Sequence, residues 1–181
     1  MTQLDQVLPE YEVSMVEDRI VHAPPSRVFE TFEKLKVSDM RLAKFLAVVR
    51  NLGNRADTSE EQPLLTEEIR RFGWVSLLED PGREVIGGLV GQVWRRDFGV
   101  VNVSDRDAFL QFQEPGYAKI VVSYRFDAIP EGTRMVSETR VHCTDELAAQ
   151  RFRWYWRVIR IGAHLTVRSG LSATKRLAEA A

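Results

Sequence analysis

The stretch that decides the fold is TDELAAQRFRWYWRVIRIGAHLTVRSGLSATKRLAEAA, residues 144–181. Asp145 is placed to cap a helix, and Glu146 adds a negative charge in the first turn, where the helix dipole favours it. Beyond these two residues, apolar and small side chains recur at steps of three and four, which predicts one long amphipathic helix. Its apolar face comprises Ala148, Phe152, Tyr155, Trp156, Ile159, Ala163, Val167, Gly170, Thr174 and Leu177.

Two further stripes run along the same helix. A basic stripe of Arg153, Arg157, Arg160, His164, Arg168 and Lys175 is interpreted as a solvated face with acidic neighbours. Arg160 borders the apolar face, so it is the arginine placed to hold a carboxylate or phosphate at a cavity mouth. A second apolar stripe comprises Trp154, Val158, Ile161 and Leu165. It either packs against short helices through Phe45 and Val49 or forms a twofold interface.

The first third of the chain predicts a strand followed by two short helices. Met1–Glu10 is expected to be a loose lead-in, and Tyr11–His22 has the β-formers of a strand. Pro24 and Pro25 end that strand and suit the entry of a helix. Ser38 is placed to cap a second helix. Asn51–Glu68 is polar and broken by glycine and proline, which indicates a long loop.

A meander of strands is predicted next. It comprises Ile69–Leu78, Glu84–Trp94 and Phe98–Val103, followed by a helical turn over Asp105–Phe112. Gly87, Gly88 and Gly91 lie inside the middle strand. They indicate bulges, curvature, or a place where another group packs close to the backbone.

The last two strands have the clearest pattern. Apolar and polar residues alternate over Ala118–Asp127 and again over Met135–Cys143. Alternation of this kind predicts an antiparallel sheet with one face in the core and one face wet. Ser137 and Thr139 fall on the inner face, where a dry core would hold aliphatic side chains. They therefore suggest space under the helix.

This order of elements resembles the START-like (SRPBCC, helix-grip) superfamily of ligand-binding proteins, polyketide cyclases and lipid carriers. The resemblance covers roughly Tyr11 to Glu179 and rests on IVHAPPSRVFETF (20–32), YAKIVVSYRF (117–126), TRMVSETRV (133–141) and FRWYWRVIRIG (152–162). It implies an α+β helix-grip fold, in which a curved antiparallel sheet of about six to seven strands wraps around the C-terminal helix. Two short helices would follow the first strand. Residues 1–181 would form a single ligand-binding domain.

The resemblance implies an apolar cavity between the sheet and the long helix. The function it implies is binding of a small hydrophobic or aromatic molecule, of lipid, polyketide or isoprenoid type. Candidate ligand-binding residues are Tyr124, Phe126, Met135, Ser137, Thr139, Trp156, Ile159, Arg160 and Ala163.

Two alternatives remain open, because this fold hosts several functions. One is an enzyme of cyclase or aromatase type, in which Tyr124, Ser137, Thr139 and Arg160 hold an enol or carbonyl oxygen. The other is a partner-binding module with a filled core. No catalytic residue is assigned by the sequence.

Composition and motifs exclude several other classes. A formal net charge of −1 argues against a nucleic-acid binder that depends on overall basicity. The single cysteine, Cys143, excludes an internal disulfide and is interpreted as a small buried hydrophobe. His22, His142 and His164 share no ligand spacing, so no metal is predicted, and no cofactor motif is present. No apolar run reaches the roughly 18 residues of a membrane span, and no signal-peptide core is found. A cytoplasmic monomer or homodimer is expected.

Overall fold

The computed structural model describes residues 2–40 and 64–180. Their elements are α1 Gln3–Val7, β1 Val13–Val21, α2 Pro25–Glu33, a 3-10 turn Val37–Asp39, α3 Leu65–Arg71, β2 Val75–Asp80, β3 Glu84–Gly91, α4 Arg106–Gln111, β4 Ala118–Ile129, β5 Gly132–Cys143 and α5 Glu146–Ala180. The strands pair antiparallel in the order β1-β5-β4-β3-β2. The α+β helix-grip fold is therefore confirmed, with five strands among the described residues where about six to seven were expected. Most of the predicted second short helix, which contains Phe45 and Val49, lies outside the described residues.

Helix α5 lies across the inner face of the sheet, on the β1 side. Asp145 caps it, because the Ala148 amide donates to Asp145 Oδ1 at 2.7 Å. Its far end is attached to the end of β1, where Lys175 Nζ donates to the carbonyl of Ile20 at 2.7 Å. The helix packs chiefly against β1 and then β5, with fewer contacts to β4. The inner face of strands β2 and β3 is therefore left to other elements to pack against.

Part of the outer face of the sheet, which alternation predicted to be wet, is buried under α1 and α4. Val121, on this face of β4, is fully buried. It belongs to one apolar cluster with Leu4 of α1 and Phe109 of α4. The prediction of a wet outer face is wrong here, because α1 and α4 cover it, and alternation within a strand does not show which helix packs on which face. The sheet thus has a core on each side.

The N-terminal segment forms part of this outer core. Thr2 and Asp5 make a reciprocal capping box that starts α1. Arg140, 7% exposed, holds the helix in place, because its Nη1 lies 2.8 Å from Asp5 Oδ1 and its Nε lies 2.7 Å from Glu138 Oε1. Hydrogen bonds from the Thr2 backbone and from Arg140 lower the pKa of Asp5 to about 2. The expectation of a loose lead-in is therefore wrong for residues 2–8.

Lys119 shows why a charged side chain can lie on this buried face. Its side chain crosses the Phe109 ring, with Nζ 4.9 Å from the ring centroid. Nζ donates to the carbonyls of Leu110 at 3.1 Å and Phe112 at 3.4 Å, at the C-terminal end of α4. A cation is favoured there by the helix dipole. Burial lowers the pKa of Lys119.

The first predicted strand of the meander is half helix. Predicted strand Ile69–Leu78 begins inside α3, and only its second part belongs to β2. Gly73, at φ +101°, follows the last turn of α3 and reverses the chain into β2. The end of the predicted loop Asn51–Glu68 also belongs to α3, and residues 51–63 lie outside the described part of the chain.

Predicted strand Phe98–Val103 is wrong as well. Phe98 has a φ of +59°, which takes the chain out of the extended conformation. Pairing with β3 is limited to a single bridge, Val101 to Val90. By contrast, the helical turn is confirmed as α4, capped by the Asp105 side chain.

Candidate functional site

A pocket of about 300 Å³ opens where α2 and α3 stand over the β2–β3 end of the inner face. We call it the α2–α3 pocket. The displacement of α5 toward β1 leaves this end of the sheet free for it. Among the described residues its walls comprise Phe29, Phe32, Glu33, Thr66, Ile69, Arg70, Trp74, Val75, Ser76, Leu78, Glu79, Pro81, Val85, Ile86, Gly87, Val122 and Tyr124.

Gly87 is the reason that the pocket has space on its sheet side. It lies on the inner face of β3, two residues after Val85, and has no side chain to fill the site. A Cβ added at Gly87 would lie 3.4 Å from Cε3 of Trp74. The indole therefore lies close to the bare backbone of β3 and forms one wall of the pocket.

Aromatic rings from α2 and β4 form another wall. Phe32 of α2 packs on Tyr124 of β4, with ring centroids 4.6 Å apart. Behind them, the rings of Phe29 and Phe126 meet edge to face at 5.4 Å. Contacts of this kind fix ring positions, so these walls are largely pre-formed.

The polar groups of the pocket lie at its inner end and at its rim. Burial raises the pKa of Tyr124, and the neighbouring Ser137 hydroxyl opposes that shift by a smaller amount. Tyr124 is therefore a neutral phenol near pH 7, able to donate or accept a hydrogen bond. At the rim, Glu79 accepts from Ser76 Oγ at 2.8 Å and pairs with Arg70 at 3.4 Å. These rim groups are exposed, so their pairing is weak.

The predicted site residues on β4 and β5 lie side by side. Tyr124 stands opposite Ser137, and Phe126 stands opposite Met135, in the antiparallel register. Phe126, Met135, Ser137 and Thr139 are buried in the inner core. Of these predicted residues, Tyr124 also lines the α2–α3 pocket.

The predicted site residues on α5 lie away from this pocket. Trp156, Ile159 and Ala163 are half-buried, and Arg160 is exposed. None of the described residues that line the α2–α3 pocket belongs to α5. The role of these four residues in binding stays a prediction.

Ser137 is a buried polar group that the described residues do not satisfy. Its side chain is 1% exposed, and its Oγ has no hydrogen bond of good geometry within the described chain. Its cross-strand neighbour Glu17 is engaged elsewhere: Oε1 lies 2.7 Å from His164 Nδ1, and Oε2 lies 3.2 Å from Arg168 Nε. Part of the basic stripe on α5 is thus compensated by Glu17.

Sequence reasoning missed most of the pocket. The sequence pattern places Trp74 in a predicted strand, and it links neither Trp74 nor Phe32 to a site. Ile69 was placed in the same strand but lies on α3. One signal was available, because a glycine in a strand often marks close approach of another group, and Gly87 lies in β3.

Two properties of the described residues bear on other kinds of site. Within residues 2–40 and 64–180, no three His, Cys, Asp or Glu side chains come together as a metal-binding group. No helix in the same ranges is long and apolar enough to cross a membrane.

Comparison with known proteins gives structural likenesses alone. No protein-family model matches the sequence, and no curated protein matches it significantly. Protein MLL2253 from Mesorhizobium loti is 12% identical over 91% of this chain and 98% of its own, with a TM-score of 0.44. Protein NE0264 from Nitrosomonas europaea is 9% identical over 93% and 95%, with a TM-score of 0.45. Ara h 8.0201 is 11% identical over 93% and 99%, with a TM-score of 0.38. At these scores the fold assignment depends on the chain's own elements.

Proposed function

We propose that this protein is a member of the START-like superfamily that binds a small hydrophobic or aromatic molecule in the α2–α3 pocket. The observation that carries the proposal is a pre-formed pocket of about 300 Å³ walled by Phe32, Trp74 and Tyr124. Pockets for small ligands have volumes of about 300–1,000 Å³ and predominantly apolar walls. This pocket lies at the small end of that range.

The walls favour a flat apolar body with one polar group. Trp74 and Phe32 provide ring surfaces against which an aromatic or polyene body packs. The Tyr124 phenol is placed to donate a hydrogen bond to a carbonyl or hydroxyl oxygen of that body. Ser137, opposite Tyr124 and otherwise unsatisfied, would donate a hydrogen bond to the phenol oxygen while the phenol donates to the ligand. This geometry favours recognition of a ketone, phenol or related oxygen function.

The experiment is a volume series at Gly87 with 1-anilinonaphthalene-8-sulfonate as the fluorescent probe. Ala, Val and Leu at position 87 add increasing volume next to Trp74. We expect the affinity for the dye to fall along the series, by more than tenfold for Gly87→Leu, with cooperative unfolding retained. Unchanged affinity in Gly87→Leu would show that the dye binds elsewhere and would refute the proposed site.

Ser137→Ala is compared with the Gly87 series, because it tests whether the ligand uses the space under α5. It removes a buried hydroxyl that has no hydrogen bond of good geometry within the described chain, and it does not fill the α2–α3 pocket. We expect stability to be unchanged or slightly higher. If ligand recognition uses the Tyr124–Ser137 pair, the affinity for an oxygen-bearing probe such as 2-naphthol falls several-fold. A loss in Ser137→Ala without any loss in Gly87→Leu would move the site beneath α5.

A further inference from the structure

Helix α5 carries a run of sequence with no acidic residue. Between Glu146 and Glu179 there is no Asp or Glu. The same run contains Arg151, Arg153, Arg157, Arg160, Arg168, Lys175 and Arg176. The whole chain has a net charge of −1, so positive charge is concentrated on this helix.

An exposed apolar stripe runs along the outer side of that helix. The exposed fractions are 65% for Trp154, 81% for Val158, 66% for Ile161 and 43% for Leu165. Their spacing of four, three and four residues puts all four on one face, over about 17 Å of helix. Single exposed apolar residues are ordinary, but a contiguous row on one helix face usually marks an association site.

Arginines flank this stripe on both sides. At 100° per residue, Arg151 and Arg157 lie about 50° and 70° to either side of the mid-line of the row, whereas Arg160 lies about 130° from it, toward the apolar inner face. Within the described chain these three make no ion pair, whereas Arg153 pairs with Glu146 and Arg168 pairs with Glu17. The Arg157 guanidinium lies 4.8 Å from the Trp154 ring centroid.

We propose that this face of α5 docks on an anionic membrane surface. An interfacial helix has an apolar face with tryptophan, flanked by Lys or Arg, and this stripe has that composition. Each basic residue near an anionic surface contributes about fivefold to the binding constant, so the two unpaired arginines that flank the row, Arg151 and Arg157, contribute about twenty-five-fold.

Other occupants fit the observations less well. A second copy, packed through the same stripe, would bring the flanking arginines of both molecules together, and like charges repel at that distance. A nucleic acid would use the arginines but would leave Val158, Ile161 and Leu165 without an apolar partner. Neither the residues nor the location overlap with the α2–α3 pocket, so this proposal and the proposed function can fail separately.

The test is co-sedimentation of the full chain with vesicles of phosphatidylcholine, with and without phosphatidylserine. We expect binding to the vesicles that contain phosphatidylserine, and weakening of that binding as salt is added. Trp154 fluorescence should shift to the blue on binding, because an exposed indole enters a less polar environment. Trp154→Phe should keep most of the binding and lose most of the shift.

Two pairs of variants separate this face from net charge and general hydrophobicity. Arg151→Gln/Arg157→Gln should lower the affinity about twenty-five-fold. The matched double variant Arg27→Gln/Arg106→Gln, which removes two exposed charges outside α5, should change it severalfold at most. Trp154→Ser/Ile161→Ser should abolish binding. The matched pair Val16→Ser/Ile20→Ser, on the exposed side of β1, should retain it.

Several outcomes would overturn the proposal. One is an absence of binding to phosphatidylserine vesicles. Another is an equal loss of affinity in Arg151→Gln/Arg157→Gln and in its matched control. A dimer that Trp154→Ser/Ile161→Ser converts to monomer in sedimentation would assign the stripe to a second copy. Binding to an RNA oligonucleotide but not to vesicles would assign the arginines to nucleic acid. Thermal unfolding of every variant confirms that it is folded, as expected for substitutions at exposed positions.

Discussion

Two adjacent glycines of β3, Gly87 and Gly88, make a sharp test of the architecture, because they face opposite sides of the sheet. A Cβ added at Gly88 would lie 2.6 Å from Leu77 Cδ1 and 2.8 Å from Phe109 Cε2. Carbon atoms in good contact are about 3.5–4.0 Å apart, so the new methyl would be about 1 Å too close to both. Leu77 is 3% exposed and Phe109 is fully buried, so neither can swing into solvent.

We therefore expect Gly88→Ala to lower the free energy of unfolding by about 2 kcal/mol, within the 1–3 kcal/mol typical of overpacking. For a chain of this size, that loss lowers the melting temperature by about 4–8 °C. Gly87→Ala is the matched control, since its Cβ would meet Trp74 at the ordinary distance of 3.4 Å. Both substitutions reduce the entropy of the unfolded chain, which raises the free energy of unfolding by about 0.4–1 kcal/mol in each. The difference in stability between the two variants therefore isolates the steric clash.

The assay is urea unfolding of both variants, followed by circular dichroism. Leu77→Val/Gly88→Ala should recover part of the loss, because valine lacks the Cδ1 atom that the new methyl meets. If Gly88→Ala is as stable as Gly87→Ala, α4 is not packed on the outer face of the sheet. The two-sided core described above would then be wrong.

Two further predictions concern buried titratable groups. The pKa of Lys119 is lowered from its usual 10.5, so the unfolded chain binds more protons than the folded chain as pH approaches 10.5, and the free energy of unfolding rises with pH in that window. Urea unfolding should show that Lys119→Met removes this rise. A rise of the same size in the variant would show that another group causes it. Burial raises the pKa of the Cys143 thiol to about 12. We therefore expect 5,5′-dithiobis(2-nitrobenzoate) to react with this thiol near pH 8 in urea but not in the native protein. Rapid reaction in the native protein would contradict the burial of Cys143.

The elements with strong local patterns were predictable from the chain alone. Helix α5 follows from period-3.6 spacing and the Asp145 cap, and β4 and β5 follow from period-two alternation. Pro25 at the start of α2 and Asp105 before α4 are local signals of the same kind. These patterns depend on residues a few positions apart, so they can be recognised in the sequence without knowledge of the fold.

Local signals failed where two of them competed. Ile69 and the residues up to Leu78 contain β-formers, but Gly73 at positive φ divides them into the end of a helix and a short strand. The capping box of Thr2 and Asp5 starts a helix of five residues, and a helix of that length is not stable by itself. Its stability depends on burial of Leu4 and Val7 against the sheet.

Only the tertiary structure decided which surfaces are buried and where the pocket lies. Arg140 and Lys119 appear in the sequence as solvated charges, because their partners are distant or are backbone groups: Asp5 lies 135 residues before Arg140, and Lys119 donates to two carbonyls at the end of α4. The pocket likewise depends on the lateral position of α5 over β1, which leaves α2, α3 and Gly87 to enclose space at the other end. Periodicity shows which face of an element is apolar. It does not show which distant element covers that face, because that depends on contacts between residues far apart in the chain.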